Sequence, residues 1–92
     1  YIMLKFQEIK SWEECLNKIV LADCLDFLRI LPDHSVDMVV TSPPYWQQRD
    51  YGVINQIGLE STFHEYLDKM TEIFNEIYRV LKKDGSCWVN MG

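Results

Sequence analysis

No apolar run in this chain approaches the ~20 residues needed to span a bilayer, and no signal-peptide pattern opens it. Membrane-spanning and secreted classes are therefore set aside, and a cytoplasmic location is expected. Cysteine is too sparse and scattered for a framework. Cys15, Cys24 and Cys87 are odd in number and fit neither a disulfide scaffold nor a zinc-site spacing, so they are expected as buried free thiols. Positive charge is also short, with 14 acidic residues against 9 basic and a net charge of −5. Nucleic-acid binders usually carry a basic patch, so the main phosphate-gripping surface is not expected in this segment. Internal repeats and low-complexity tracts are missing as well.

What remains is ordinary globular material: 92 residues, 48% apolar and 25% charged. A chain of this length buries only a small core and is marginal alone. It opens Tyr1-Ile2-Met3 and stops at Asn90-Met91-Gly92, directly after an apparent strand. Residues 1–92 are thus expected to be part of a larger catalytic domain.

The periodicity predicts an α/β order. Ser11 to Asn17 reads as a short helix with Ser11 and Glu14 as its capping box. Lys18 to Ala22 is a short apolar strand with Asp23 at its carboxyl end. Cys24 to Leu31 reads as a helix that Pro32 ends, and Pro32 to Ser35 as a turn. Val36 to Thr41 is a second strand, hydrophobic enough to be covered on both faces. Ser42 to about Ser61 is a long loop, a length often associated with function. The clearest element runs from Phe63 to about Lys83, capped by Thr62 with Glu65 and carrying an apolar stripe from Phe63 through Ile73 and Ile77 to Leu81. Lys82 and Lys83 would suit its negative end, and Gly85 its left-handed cap. Ser86 to Met91 completes the pattern as a third strand, giving a mainly parallel sheet with flanking helices. Trp12 and Trp88 are expected in the core, and His34 and His64 on the surface.

In an open parallel sheet, ligands bind beyond the carboxyl ends of the strands. Asp23, Ser42-Pro43-Pro44-Tyr45 and Asn90 all fall at such ends. Asp23 is open to two readings, a helix N-cap or an acceptor for a ligand amine. Consecutive prolines remove two N–H donors and leave carbonyl oxygens as the local polar groups. Ser42 adds a hydroxyl and Tyr45 a flat face. Acceptors beside an aromatic plate suit the holding of a planar base while its amino group is oriented.

On these residues the chain resembles the DNA amino-methyltransferases, which modify the exocyclic nitrogen of cytosine or adenine. Their motif is Asp, Asn or Ser followed by Pro-Pro and an aromatic residue, and it stands here as Ser42-Pro43-Pro44-Tyr45 within TSPPYWQQRDYG. The segments LADCLDFL, LPDHSVDMVVTSPPYW, IGLE and RVLKKDGSCWVNMG follow the pattern in order. A lone SPPY would say little; the ordered set is specific. The order resembles the permuted group in which the catalytic motif precedes the cofactor glycine loop. No FxGxG-type loop and no target-recognition domain occur in these 92 residues.

The resemblance implies a partial Rossmann-like methyltransferase fold, with S-adenosylmethionine as cofactor and DNA as partner. It further implies that Ser42, Pro43, Pro44 and Tyr45 are catalytic, that Asp23 and Cys24 line the adenine pocket, and that Trp46 and Arg49 contact the base or DNA. Ser at the first motif position leans toward cytosine N4. In the family fold, two further strands separate the strand ending at Asp23 from the catalytic strand. No Pro-Cys pair is present, so the nucleophilic chemistry of cytosine-C5 enzymes is not expected. The competing reading is a noncatalytic α/β unit that self-associates through incomplete sheet edges.

Overall fold

The structure is a computed structural model that describes residues 3–43 and 62–91. Strand β1 (Met3–Lys5) pairs in parallel with β2 (Ile19–Leu21), and two short 3-10 helices, Phe6–Glu8 and Trp12–Cys15, lie between them in sequence. Helix α1 (Cys24–Ile30) follows, then β3 (Val36–Thr41). Helix α2 (Phe63–Val80) passes without an intervening residue into β4 (Leu81–Val89), which runs parallel to β3. The strands form two separate pairs, β1–β2 and β3–β4; among the described residues β2 and β3 do not pair. The α/β class and the parallel pairing expected from sequence are both present.

Local chemistry explains the helix starts. Asp23 Oδ1 accepts the N–H groups of Leu25 and Asp26 at 3.0 and 3.1 Å, satisfying two donors that a first helical turn leaves unpaired. Thr62 Oγ1 does the same for Glu65 at 3.1 Å. At the far end of α1 the Leu31 N–H bonds the Leu28 carbonyl at 3.1 Å, and Pro32 prevents continuation.

The core sits between the two helices and one face of the β3–β4 pair. Leu25 of α1 packs with Ile73 and Ile77 of α2, and Leu28, Val39, Phe74 and Leu81 close around them. Burial of each such side chain contributes about 1.5–3 kcal/mol. The opposite face of the same strands is bare: Met38 and Val40 of β3 and Trp88 of β4 are 56%, 69% and 63% exposed. The strand pair is therefore covered on one face, not on both. Trp88 accordingly stands in solvent, its indole N–H donating to Ser86 Oγ at 3.1 Å; Trp12 is half-buried.

Three other sequence expectations are corrected. Ser11 Oγ bonds the Glu13 carboxylate at 3.2 Å and does not cap the backbone. In place of the expected Ser11 to Asn17 helix a single 3-10 turn, Trp12–Cys15, forms, and Asn17, in the left-handed region at φ 60°, then turns the chain toward β2. Helix α2 ends at Val80, so Lys82 and Lys83 lie in β4, where Lys82 pairs with Asp37 at 2.8 Å. Gly85 is not a left-handed cap. It lies where β4 bulges: Val36 pairs with Leu81 and Met38 with Ser86, so Lys82, Lys83, Asp84 and Gly85 stand opposite Asp37 alone. A Cβ on Gly85 would meet the Asp37 carbonyl oxygen at 2.9 Å and the Lys82 carbonyl oxygen at 3.0 Å. Close approach of backbone, rather than positive φ, requires glycine here.

The cysteines also differ from expectation. All three are free, but Cys24 and Cys87 are exposed and Cys15 is half-buried. His34 and His64 are exposed as expected. No described helix is long and apolar enough to cross a membrane.

Candidate functional site

The β3–β4 ladder delivers the site. Parallel pairing sets Val40 beside Trp88 and Thr41 beside Val89, and the Asn90 N–H continues the ladder by donating to the Thr41 carbonyl at 3.0 Å. Ser42 and Asn90 thus leave the sheet side by side at its carboxyl edge. The Ser42 hydroxyl is exposed and reaches the Asn90 carbonyl at 3.5 Å, longer than the 2.5–3.0 Å of a firm O–H···O bond. Its lone pairs remain open to an incoming donor.

Pro43 turns the other way and is buried. It lines a recess of about 80 Å³ together with Cys24, Thr41 and the α2 residues Met70 and Phe74. The residues expected at the catalytic motif and at the cofactor edge therefore meet at one wall: Pro43 from the end of β3, Cys24 from the start of α1. Pro44, Tyr45, Trp46 and Arg49 lie outside the described residues.

Asp23, next to Cys24, is the N-cap of α1, as the first of its two readings has it. Both capping bonds go to Oδ1, so Oδ2 has no partner among the described residues and can accept from a ligand. Cys24 is exposed as a residue, yet partial burial and the adjacent Asp23 carboxylate push its thiol above the ordinary value, with Lys69 of α2 pulling the other way. A raised thiol is a poor nucleophile, which fits a lining role and no covalent one.

One residue escaped the sequence reading. Arg79, in the last turn of α2, donates to the carbonyls of Leu28 and Leu31 at 2.8 and 2.9 Å, to Asp33 Oδ1 at 2.7 Å and to Glu76 at 3.3 Å. Its hydrogen bonds to Asp33 and then Glu76 hold its guanidinium even more firmly protonated than usual. Arg79 flanks the apolar stripe without breaking it, so the sequence carried no signal for its role. Among the described residues no group of His, Cys, Asp and Glu is placed to hold a metal ion.

Residues 36–92 match the family model described as DNA methylase. Among known proteins, the chain is 54% identical over 70 residues to the Type II methyltransferase M.Cfr9I of Citrobacter freundii, covering 76% of this chain and 23% of that protein. It is 50% identical over 74 residues to M.SfiI of Streptomyces fimbriatus, covering 80% and 18%. Against M.PvuII of Proteus hauseri the identity is 33% over 92 residues, covering 98% of this chain and 25% of the relative. The chain thus spans a quarter or less of the length of these relatives. No solved structure matches.

Proposed function

The chain belongs to the N6/N4 DNA methylase family, the DNA amino-methyltransferases, and from that premise we propose that it supplies the catalytic edge of an enzyme that methylates an exocyclic amino group of a flipped DNA base. Cytosine N4 is the favoured target, S-adenosylmethionine the methyl donor, and the fold a Rossmann-like one of the permuted order. The observation that carries the proposal is the placement of Ser42 and Pro43 at the carboxyl edge of β3, beside Asn90 and facing Cys24.

The chain's residues fit one edge of the cofactor. The free Oδ2 of Asp23 suits the exocyclic amine of adenine, and Cys24 offers an apolar wall beside it. The recess of about 80 Å³ is far below the ~300–1,000 Å³ of a pocket for a whole small molecule, so these residues recognise a part and not the entire cofactor. Bound there, the cofactor would supply an electrophilic sulfonium methyl.

The remaining work falls to the motif. A base within a duplex is out of reach, and extruding it costs a few kcal/mol of unstacking. Tyr45, with Trp46, is assigned to stack on the extruded base, and Arg49 to contact DNA. The amino nitrogen is a weak nucleophile because its lone pair is delocalised into the ring. Ser42 Oγ and the Pro43 carbonyl, accepting its two N–H bonds, favour a pyramidal nitrogen whose lone pair is free for in-line transfer. Such fixed acceptors act by orientation and preorganisation.

The test uses the complete reading frame that contains this chain, tritium-labelled S-adenosylmethionine and unmethylated DNA, followed by separation of the nucleosides. Label is expected in N4-methylcytosine. Label in N6-methyladenine would change the target base. No transfer, together with no cofactor binding by calorimetry, would overturn the proposal.

A further inference from the structure

Helix α1 holds Asp23 and Cys24 at one end, and its other end is gripped by a single side chain. Arg79 reaches from α2 to the Leu28 and Leu31 carbonyls at 2.8 and 2.9 Å. The Leu28 oxygen already accepts the Leu31 N–H at 3.1 Å, so the guanidinium adds a second bond at the helix end, where carbonyls have acceptor capacity to spare. The same guanidinium holds Asp33 of the following turn at 2.7 Å. The backbone closes the arrangement: the His34 N–H donates to the Arg79 carbonyl at 3.1 Å and the Ser35 N–H to the Val80 carbonyl at 2.8 Å. His34 Nδ1 lies 2.9 Å from the Leu81 carbonyl oxygen. The two helices are also joined by the exposed Arg29–Glu72 pair at 2.8 Å, and exposed pairs contribute little.

We infer that Arg79 is a positioning residue for the cofactor edge: by clamping the carboxyl end of α1 it sets where Asp23 and Cys24 stand relative to Pro43. The inference rests on the function proposed above. A helix of seven residues is not stable alone and moves as one rigid piece, about 1.5 Å long per residue. Within its span Leu25 is the one buried residue, against Ile73 and Ile77, while Leu28 packs beside that cluster and Leu31, the C-cap, is buried at the other end. Leu25 acts as a pivot near the amino end, so release of the carboxyl end tilts Asp23 and Cys24 away from the β3 edge. Lysine cannot replace arginine here, because the bonds diverge from a planar fork and a single ammonium cannot span them.

Arg79→Lys tests this in two assays. In the complete enzyme, KM for S-adenosylmethionine is expected to rise about tenfold, the equivalent of one or two lost hydrogen bonds, with KM for DNA unchanged. A purely structural role would lower the active fraction and leave that KM alone, which would overturn the inference. The second assay needs no cofactor. In the chain carrying Cys15→Ser and Cys87→Ser, labelling of Cys24 by an aromatic disulfide reagent is expected to be several-fold faster in Arg79→Lys, and unaltered in the control Lys82→Ala. If the wild-type enzyme binds no cofactor, the functional reading fails and the labelling rate still decides whether Arg79 positions α1. If Arg79→Lys does not fold, the double change Asp33→Asn with Glu76→Gln removes the carboxylates that orient the guanidinium. A folded double variant that labels at the wild-type rate would overturn the inference.

Discussion

The Asn90 N–H donates to the Thr41 carbonyl at 3.0 Å, one rung beyond the last residue of β4. That bond makes Ser42 the first motif residue free of the sheet while keeping it beside a fixed neighbour. It explains how a hydroxyl can be both placed and uncommitted.

Ser42→Ala is expected to leave stability within about 0.5 kcal/mol, because an exposed hydroxyl with a long, weak bond holds little of the fold. Methyl transfer by the complete enzyme should fall by about 10²-fold if the hydroxyl is a transition-state acceptor. Thermal melting and single-turnover rates check the two halves. An unchanged rate would remove Ser42 from the mechanism.

Asp23 caps α1 through Oδ1, and the proposed cofactor contact falls to Oδ2; two substitutions separate the cap from the proposed contact. Asp23→Asn keeps a capping oxygen and should retain stability, while S-adenosylmethionine binding weakens. Asp23→Ala loses the cap as well, at about 1 kcal/mol. Denaturant melts paired with calorimetry would show the difference; equal binding by wild type and Asp23→Asn would leave the cap as its sole role.

Gly85→Ala should destabilise by about 1–3 kcal/mol, the range for forcing extra atoms into occupied space. The obstacle is the backbone oxygen of Asp37 at 2.9 Å, which cannot rotate aside as a side chain would. Urea denaturation measures the loss. Stability equal to wild type would mean that the bulge relaxes freely.

The Cys24 thiol is held neutral by burial and by Asp23, and only the thiolate reacts. Its labelling rate should therefore rise through a midpoint above the ordinary thiol value of about 8.5. The folded value exceeds the unfolded one, so this thiol's contribution to stability is present below the unfolded value. It is lost as pH climbs through the folded one. Rate against pH in the Cys15→Ser, Cys87→Ser background gives the midpoint; a midpoint at or below 8.5 would contradict the arrangement.

Much of the scaffold was legible because local rules dominate it. Val36–Thr41 forms with the bounds the β-branched run suggests, and Asp23 and Thr62 start helices as capping residues do. The failures share a physical origin. Leu81 fits the apolar stripe of α2 as well as the pairing of β4, so periodicity carried the helix past Val80. Lys82, Lys83 and Gly85 then received the roles of a helix end, whereas the bulge that explains them depends on β3 across the sheet. Apolar residues on both faces of β3 signalled double coverage, but the pattern cannot say which face these residues themselves cover. At the site, the motif and Asp23 were visible as residue types at strand ends. Their meeting around Pro43 and Cys24, and the grip of Arg79 on α1, depend on contacts distant in sequence.

The detour of β4 opposite Asp37 also governs tolerance to changes in chain length. Helix α2 runs directly into β4, and Asn90 must stay in step with Thr41 for Ser42 to keep its place. An insertion or deletion within α2 would pull that alignment out of step. Lys83 and Asp84, looping out beside a single partner residue, offer slack: a residue gained or lost there alters the size of the detour and leaves Ser42 and Asn90 aligned.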